Sequence, residues 1–402
     1  MFKKQVRKLH LWLGLLSGSI VFILGITGCV YAFIEEVRPI FYHHKYCVES
    51  NGLKRKPLTE LWAAAQHSLG KDKVIGRFTT GSNPNDTYQF RAFKEKQGGF
   101  WAWQNTAYHL TAFVNPYTAE VIEIEDTNLE FFNMVLMLHC NLFLAGNAGK
   151  LIAGTSTIIF VILLSTGLVL WWPKNKQAAK KRFWFNWKDA TKWKRKNYDL
   201  HSIAGFYVMI FAILLAITGL AMTFGWVDKG LQWVANGGVF YEKQKEKPLI
   251  SSLHTNGATL PVLDQIFTDV RNYYPEAKSY YVYDPGSNPE ALINVYIDNG
   301  RSYRSVIKQY DRYTANVLKT TRFDDKNNGE MLSAIYYDIH TGNALGIAGK
   351  FLMFFASLIS ASLPVTGFCI WLGKKKHKNS KENTKYNKLT RGSPNPNPRK
   401  TD

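Results

Sequence analysis

The chain has 402 residues, 46% hydrophobic and 14% aromatic, with 50 Lys and Arg against 30 Asp and Glu, a formal net charge of +20. This composition excludes a disordered, collagen-like or disulfide-framework protein, and the length allows more than one domain. A charge of +20 raises nucleic acid or an anionic membrane surface as partner, and only the position of the charge chooses between them.

In chain order, residues 1–10 are a basic segment carrying Lys3, Lys4, Arg7 and Lys8. The stretches 11–34, 151–173, 200–227 and 351–373 contain no Asp, Glu, Lys or Arg. A membrane helix needs about 20 mostly apolar residues at 1.5 Å rise to cross roughly 30 Å of hydrocarbon. Four spans are therefore predicted, at 11–34, 148–173, 200–227 and 348–373. They separate two long polar segments, 35–147 and 228–347, from a basic loop, 174–199, and a basic tail, 374–402. The tail is rich in Lys, Asn and Pro without periodicity and is expected to be disordered. A signal-peptide reading of the first run is set aside because it exceeds the roughly 7–15 residues of a signal h-region. Its lipoprotein-like Ile26-Thr27-Gly28-Cys29 also has an echo at Ile217-Thr218-Gly219, deep in the chain. Residues 131–149 are apolar too, but Asn133, His139, Asn141 and Asn147 favour a surface or bundle-capping helix there over a fifth span.

The segments on one side of these spans hold 24 basic residues against only Asp189, Asp199, Glu382 and Asp402, which is the whole net charge. The rest of the chain balances at 26 against 26. Lys and Arg accumulate on the cytoplasmic side of membrane proteins, so both termini are expected inside and the long polar segments outside. The charge thus reads as topology, and nucleic acid is not an expected partner.

The chain also repeats itself, a feature that decides fold class when present. His10 with Gly14 and Ile26-Thr27-Gly28 return as His201 with Gly205 and Ile217-Thr218-Gly219. His139, Ala148-Gly149-Lys150, Thr166-Gly167 and Trp171 return as His340, Ala348-Gly349-Lys350, Thr366-Gly367 and Trp371. Each half is one span, one outer segment and one span, giving parallel repeats about an axis along the membrane normal. Each outer segment reads as a helix, Pro57 to Leu69 or Leu260 to Tyr273, followed by strand-like alternation. The predicted fold is a four-helix membrane bundle with two α+β extracytoplasmic domains.

Topology sorts the repeated histidines into two pairs. His10 and His201 fall at the cytoplasmic edge, and His139 and His340 at the outer edge. Polar rings within spans are costly and usually face a partner inside the bundle. Two imidazoles from facing helices suit the axial positions of haem iron, whereas zinc usually wants four ligands. Gly28 and Gly219 each follow their helix's histidine by 18 residues, five turns and about 27 Å along the same face. They could clear space for a macrocycle at the level of the other pair, and Gly14 and Gly205 for the nearer one, against the alternative of ordinary close helix packing through small residues. With both axial positions filled, electron transfer is the natural role. Cys29 and Cys369 fall in spans, and nothing in the spacing compels a bridge between Cys47 and Cys140.

At these motifs the sequence resembles the PepSY-associated transmembrane helix family, which includes iron-regulated membrane proteins and ferric-siderophore reductases. The outer segments look like PepSY modules at Pro116-Tyr117-Thr118-Ala119-Glu120-Val121 and Arg312-Tyr313-Thr314-Ala315-Asn316-Val317, with Ala where the family usually has Gly. The resemblance implies a bacterial inner-membrane protein with two haem b groups, ligated by His10 with His201 and by His139 with His340. It implies outward electron transfer from a quinol or cytoplasmic reductase to Fe(III) held by a siderophore, bound between the outer domains and the outer haem. Trp101, Trp103, Tyr108 and Phe113 are candidate aromatic contacts there, against ordinary sheet packing. The alternative is a non-enzymatic PepSY protein that binds or inhibits a peptidase or partner at the outer face.

Overall fold

Four helices are long and apolar enough to cross a membrane: Phe2–Ala32, Ala148–Trp171, Trp193–Thr223 and Asn343–Lys374. The computed structural model describes residues 1–173, 175–180, 182–241, 248–251, 261–284, 286 and 288–391.

Helix α1 (Phe2–Ala32) starts well before the charge-free run, because nothing in the basic segment breaks a helix once it has begun. Short helices α2 (Ile34–Phe41) and α3 (His43–Tyr46) lead away from it. Helix α4 (Leu58–Leu69) follows Pro57, buries Leu58, Leu61, Ala65 and Leu69 at helical spacing, and stops at Gly70, whose φ is 94°. Strands β1 (Ile75–Gly81), β2 (Tyr88–Glu95), β3 (Thr106–Val114) and β4 (Val121–Asp126) form an antiparallel meander. Helix α5 (Phe131–Asn141) is capped by the Glu130 carboxylate, which accepts from the Phe132 and Asn133 amides. At 11 residues it is too short to cross the bilayer. Helix α6 (Ala148–Trp171) is the second span.

The basic loop carries α7 (Lys176–Lys180) and α8 (Trp193–Asp199), and the latter runs through a π-helical turn at Leu200–Ala204 into α9 (Gly205–Thr223). Helix α10 (Gly225–Ala235) follows it. The second outer segment adds α11 (Val262–Tyr273), then β5 (Ser279–Tyr283), β6 (Ile293–Asp298), β7 (Val306–Tyr310) and β8 (Val317–Thr321). Helix α12 (Asn328–Thr341) opens with an Asn327–Glu330 capping box and closes at Gly342, φ 83°. Helix α13 (Gly346–Arg391) is the last span and continues into the tail. Disorder was expected from residue 374, yet no Gly or Pro interrupts 374–391 and the helix propagates through it. Residues 392–402 of that tail, and Leu260 of the second expected helix, lie outside the described residues.

The two outer segments do not stand as two separate domains. Their strands join in one eight-stranded sheet, ordered β4-β3-β2-β1-β5-β6-β7-β8, with Phe78 on β1 opposite Val282 on β5. Each meander alone would leave β1 or β5 as an unpaired edge, and joining them covers both. Helices α4 and α11 lie over one face and share a single apolar core that includes Phe78, Phe90, Val282 and Val295.

Within the bundle, α1 packs on α6 and α13 through small residues. A side chain at Gly25 would come within 2.7 Å of Ala361 Cβ and 2.9 Å of the Ser357 carbonyl on α13. Ion pairs tie the sheet to the bundle. The Lys350 ammonium on α13, only 5% exposed, reaches Glu35 at 3.2 Å and Glu36 at 2.7 Å, and Lys278 reaches Glu35 at 2.8 Å. Burial works against the Glu35 carboxylate, but the Lys278 and Lys350 charges outweigh it and hold its pKa below the ordinary value. The stability this confers is full above the ordinary carboxylate pKa and is lost as pH falls through the lowered one. Glu35→Gln is therefore expected to flatten the acid limb of a plot of Tm against pH. An acid limb as steep as that of the wild type would show that Glu35 adds no pH-dependent stability.

Candidate functional site

The four repeated histidines stand in two facing pairs. His10 on α1 and His201 in the π-helical turn have ring centroids 6.3 Å apart, with planes at 87°. His139 on α5 and His340 on α12 are 6.1 Å apart, with planes at 68°. The second pair lies at the sheet side of the bundle and the first at the opposite, basic side.

Each ring is held the same way. His10 Nδ1 is 2.9 Å from Thr166 Oγ1, His139 Nδ1 2.9 Å from Thr27 Oγ1, and His340 Nδ1 2.9 Å from Thr218 Oγ1. His201 Nδ1 lies 3.0 Å from Thr366 Oγ1 and 3.1 Å from the Leu363 carbonyl. The threonine hydroxyls donate backwards along their own helices, Thr27 to the Ile23 carbonyl at 2.7 Å and Thr218 to Leu214 at 2.7 Å. Thr166 and Thr366 do the same to Ile162 and Ser362, each at 2.9 Å. A hydroxyl has one proton, so a threonine that donates it to a carbonyl must accept from the imidazole. For His201 the carbonyl of Leu363 imposes the same sense. All four Nδ1 atoms are thus protonated donors, and all four Nε2 atoms keep a free lone pair.

The glycine beside each threonine seats the ring. A Cβ on Gly167 would meet His10 Cε1 at 3.4 Å, on Gly367 His201 Cε1 at 3.2 Å, and on Gly219 His340 Cε1 at 3.2 Å. On Gly28 it would meet Ser357 Oγ at 2.8 Å and His139 Cε1 at 3.6 Å. Gly28 and Gly219 therefore stand at the level of the second pair, as their 18-residue spacing predicts, but what fills the space is the imidazole itself. Gly14 and Gly205 are nearest to Leu163 and Leu363, and both line a cavity of about 740 Å³ that His10 and His201 also line. Lys3, Arg7 and Arg182 line it too, with Lys3 donating to the Trp172 carbonyl at 3.3 Å and Arg182 to that of Leu170 at 3.1 Å. That volume falls within the roughly 300–1,000 Å³ of small-molecule and cofactor pockets.

The separations are those of two imidazoles about one metal ion. Two metal–nitrogen bonds of about 2.0–2.1 Å and two ring radii of about 1.2 Å place the centroids roughly 6.4 Å apart. Among the described residues no cluster of three or more His, Cys, Asp or Glu could hold a metal ion, so each histidine pair would offer two ligands of these types. Haem iron needs only two, and the donor set fits it.

Sequence reasoning singled out the four histidines and four of the glycines. It missed the threonines as ring-orienting groups and Gly167 and Gly367 as ring seats. The signal was there, since Thr-Gly occurs at the same place in all four spans. Of the aromatic candidates, Phe113 is buried and Tyr108 packs at the edge of the sheet core. Trp101 and Trp103 stack on each other at 5.4 Å. Cys29, Cys47, Cys140 and Cys369 are all free thiols.

A family model for the PepSY-associated TM region matches residues 7–374, which take in all four histidines, their threonines and both outer segments. The chain belongs to this family. No curated protein matches it. This member of the PepSY-associated TM family is thus a membrane protein with α+β content beside its apolar helices.

Proposed function

We propose that the protein is a haem-containing oxidoreductase of the bacterial inner membrane that passes electrons outward to Fe(III) held by a siderophore. The observation that carries this reading is the paired geometry, 6.3 and 6.1 Å between ring centroids with every Nε2 lone pair left free. Two haem b groups are the cofactors it requires, one between His10 and His201 and one between His139 and His340. Bound there, they would supply reversible one-electron chemistry, with both axial positions taken by histidine.

The chain's own residues do the rest. Threonines fix the tautomer and orientation of each ligand, Gly14 and Gly205 keep the basic-side cavity open, and Lys3, Arg7 and Arg182 offer positive charge to a ligand's acidic groups. The two centres are separated by most of helix α1, about 27 Å from His10 to Gly28 at 1.5 Å per residue. The concentration of basic residues supports a cytoplasmic location for both termini and the His10–His201 pair, and an outer location for the sheet. The repeated His and Thr-Gly contacts support two parallel repeats within the bilayer. A quinol or a cytoplasmic reductase is the electron donor in this reading.

The test is to reduce the purified protein anaerobically and mix it with a ferric siderophore. Return of the oxidised haem spectrum, with Fe(II) captured by a ferrous chelator, is expected. A reduced spectrum that persists beside the ferric siderophore contradicts the substrate. Ligand orientation gives a second check. Thr218→Val keeps the shape but removes the acceptor for His340 Nδ1. About 10–100-fold weaker retention of the sheet-side cofactor is expected, measured by haem transfer to an apo-globin acceptor.

A further inference from the structure

The sheet has a second face, turned away from α4 and α11, and its middle carries an uncompensated charge. Arg77 on β1 stands directly opposite Arg91 on β2, and the same row continues to Thr111 on β3 and Tyr283 on β5. Like charges directly opposite on neighbouring strands destabilise a sheet. Nearby carboxylates are already engaged: Glu123 and Glu125 with Lys45, Glu130 with Arg38, and Glu35 with Lys278 and Lys350. Among the described residues neither Arg77 nor Arg91 has an acidic partner. Arg91 Nε reaches only the Thr111 hydroxyl at 3.3 Å, and Arg77 Nη1 the Tyr283 hydroxyl at 3.4 Å. Arg77 Nε and Arg38 Nε are buried atoms with no hydrogen-bond partner. Burial, and then the charge of Arg77, pull Arg91 down to about 10. His109 is drawn down to about 4, first by burial and then by Arg91, so at neutral pH it adds no charge.

This face looks onto α2 and α3, the continuation of α1, because Lys45 of α3 grips Glu123 and Glu125 from that side. Arg38 of α2 in turn pairs at 3.1 Å with Glu130, the cap of α5, the helix that carries His139. Each guanidinium is a planar fork matched to a carboxylate, and two forks side by side suit a ligand with several such groups.

We infer that Arg77 and Arg91 bind the free carboxylates of an anionic ferric chelate, between the sheet and the sheet-side histidine pair. The inference rests on the proposed reduction of chelated iron and narrows its substrate class to chelates with net negative charge. The same forks would also suit the carboxylates of a bound cofactor, and the test separates the two.

Full-length protein in detergent is titrated calorimetrically with Ga(III) citrate, a redox-inert polycarboxylate chelate, and with an uncharged Ga(III) tris-hydroxamate. The gallium citrate is expected to bind with affinity that falls as salt is added. Arg77→Gln and Arg91→Gln should each weaken it by roughly tenfold or more, with Arg91→Lys intermediate. Salt-insensitive binding by the wild type, equal binding of the uncharged chelate, or unchanged affinity in both Gln variants would overturn the inference. So would loss of haem absorbance in Arg77→Gln beside a wild type that ignores gallium citrate, since the arginines would then serve the cofactor. Gallium binding needs no electron transfer, so its failure leaves the proposed reduction standing. A colourless protein that still binds gallium citrate overturns only the haem reading.

Discussion

Replacing His340 with alanine is expected to halve the haem content, from two per chain to one, and to leave the His10–His201 centre intact. His340 Nδ1 is anchored on Thr218 and its ring faces His139 at 6.1 Å, so on the proposed reading the substitution removes one of the two histidines that would hold the sheet-side haem. The other centre draws its ligands from α1 and from the turn before α9, and its threonines from α6 and α13. It shares no side chain with the first. The haem-to-protein ratio of the variant, taken from a pyridine haemochrome spectrum, measures the effect. A ratio unchanged from the wild type would contradict the assignment of His340.

The second large effect is structural. Gly349 sits at the start of α13, where a Cβ would collide with the carbonyl oxygen of Gly342 and come within 2.8 Å of Leu345 Cβ. Gly149 holds the equivalent place at the start of α6, against the backbone of Asn141. Neither obstacle is a flexible side-chain tip, so the tight turn that brings α12 back onto the last span cannot close around a branched residue. Gly349→Val is expected to cost about 3 kcal/mol, the upper end of typical overpacking. The loss should appear as a lower Tm and a smaller yield of monodisperse protein. Gly230→Val on α10, where nothing lies within 4 Å of the added Cβ, is the matched control and should unfold as the wild type does. Equal behaviour of the two variants would show that the turn is not close-packed.

How much of this was legible beforehand depended on whether the signal was local. The spans were, because an uncharged run long enough to cross a bilayer declares itself. Their ends were not, since Lys3, Lys8 and the residues after Lys374 extend helices as readily as they end spans. The histidine pairs could be read from the repeats and from the direction of each crossing. The threonines were visible only as a repeated Thr-Gly and their role was hidden, because a threonine in a membrane helix that bonds back to its own backbone looks ordinary until an imidazole is seen against it. The single sheet was hidden for a different reason. Pairing β1 with β5 joins residues some 200 apart in the chain, Phe78 with Val282 for instance, and no periodicity marks that partnership. The opposition of Arg77 and Arg91 likewise exists only once strand register is fixed.

The most direct measurement is the absorbance spectrum of the full-length protein purified from haem-replete cells, before and after dithionite. The paired histidines predict a red protein with two haems per chain and six-coordinate, bis-histidine bands that sharpen on reduction. A colourless preparation that is folded and monodisperse would contradict the central claim.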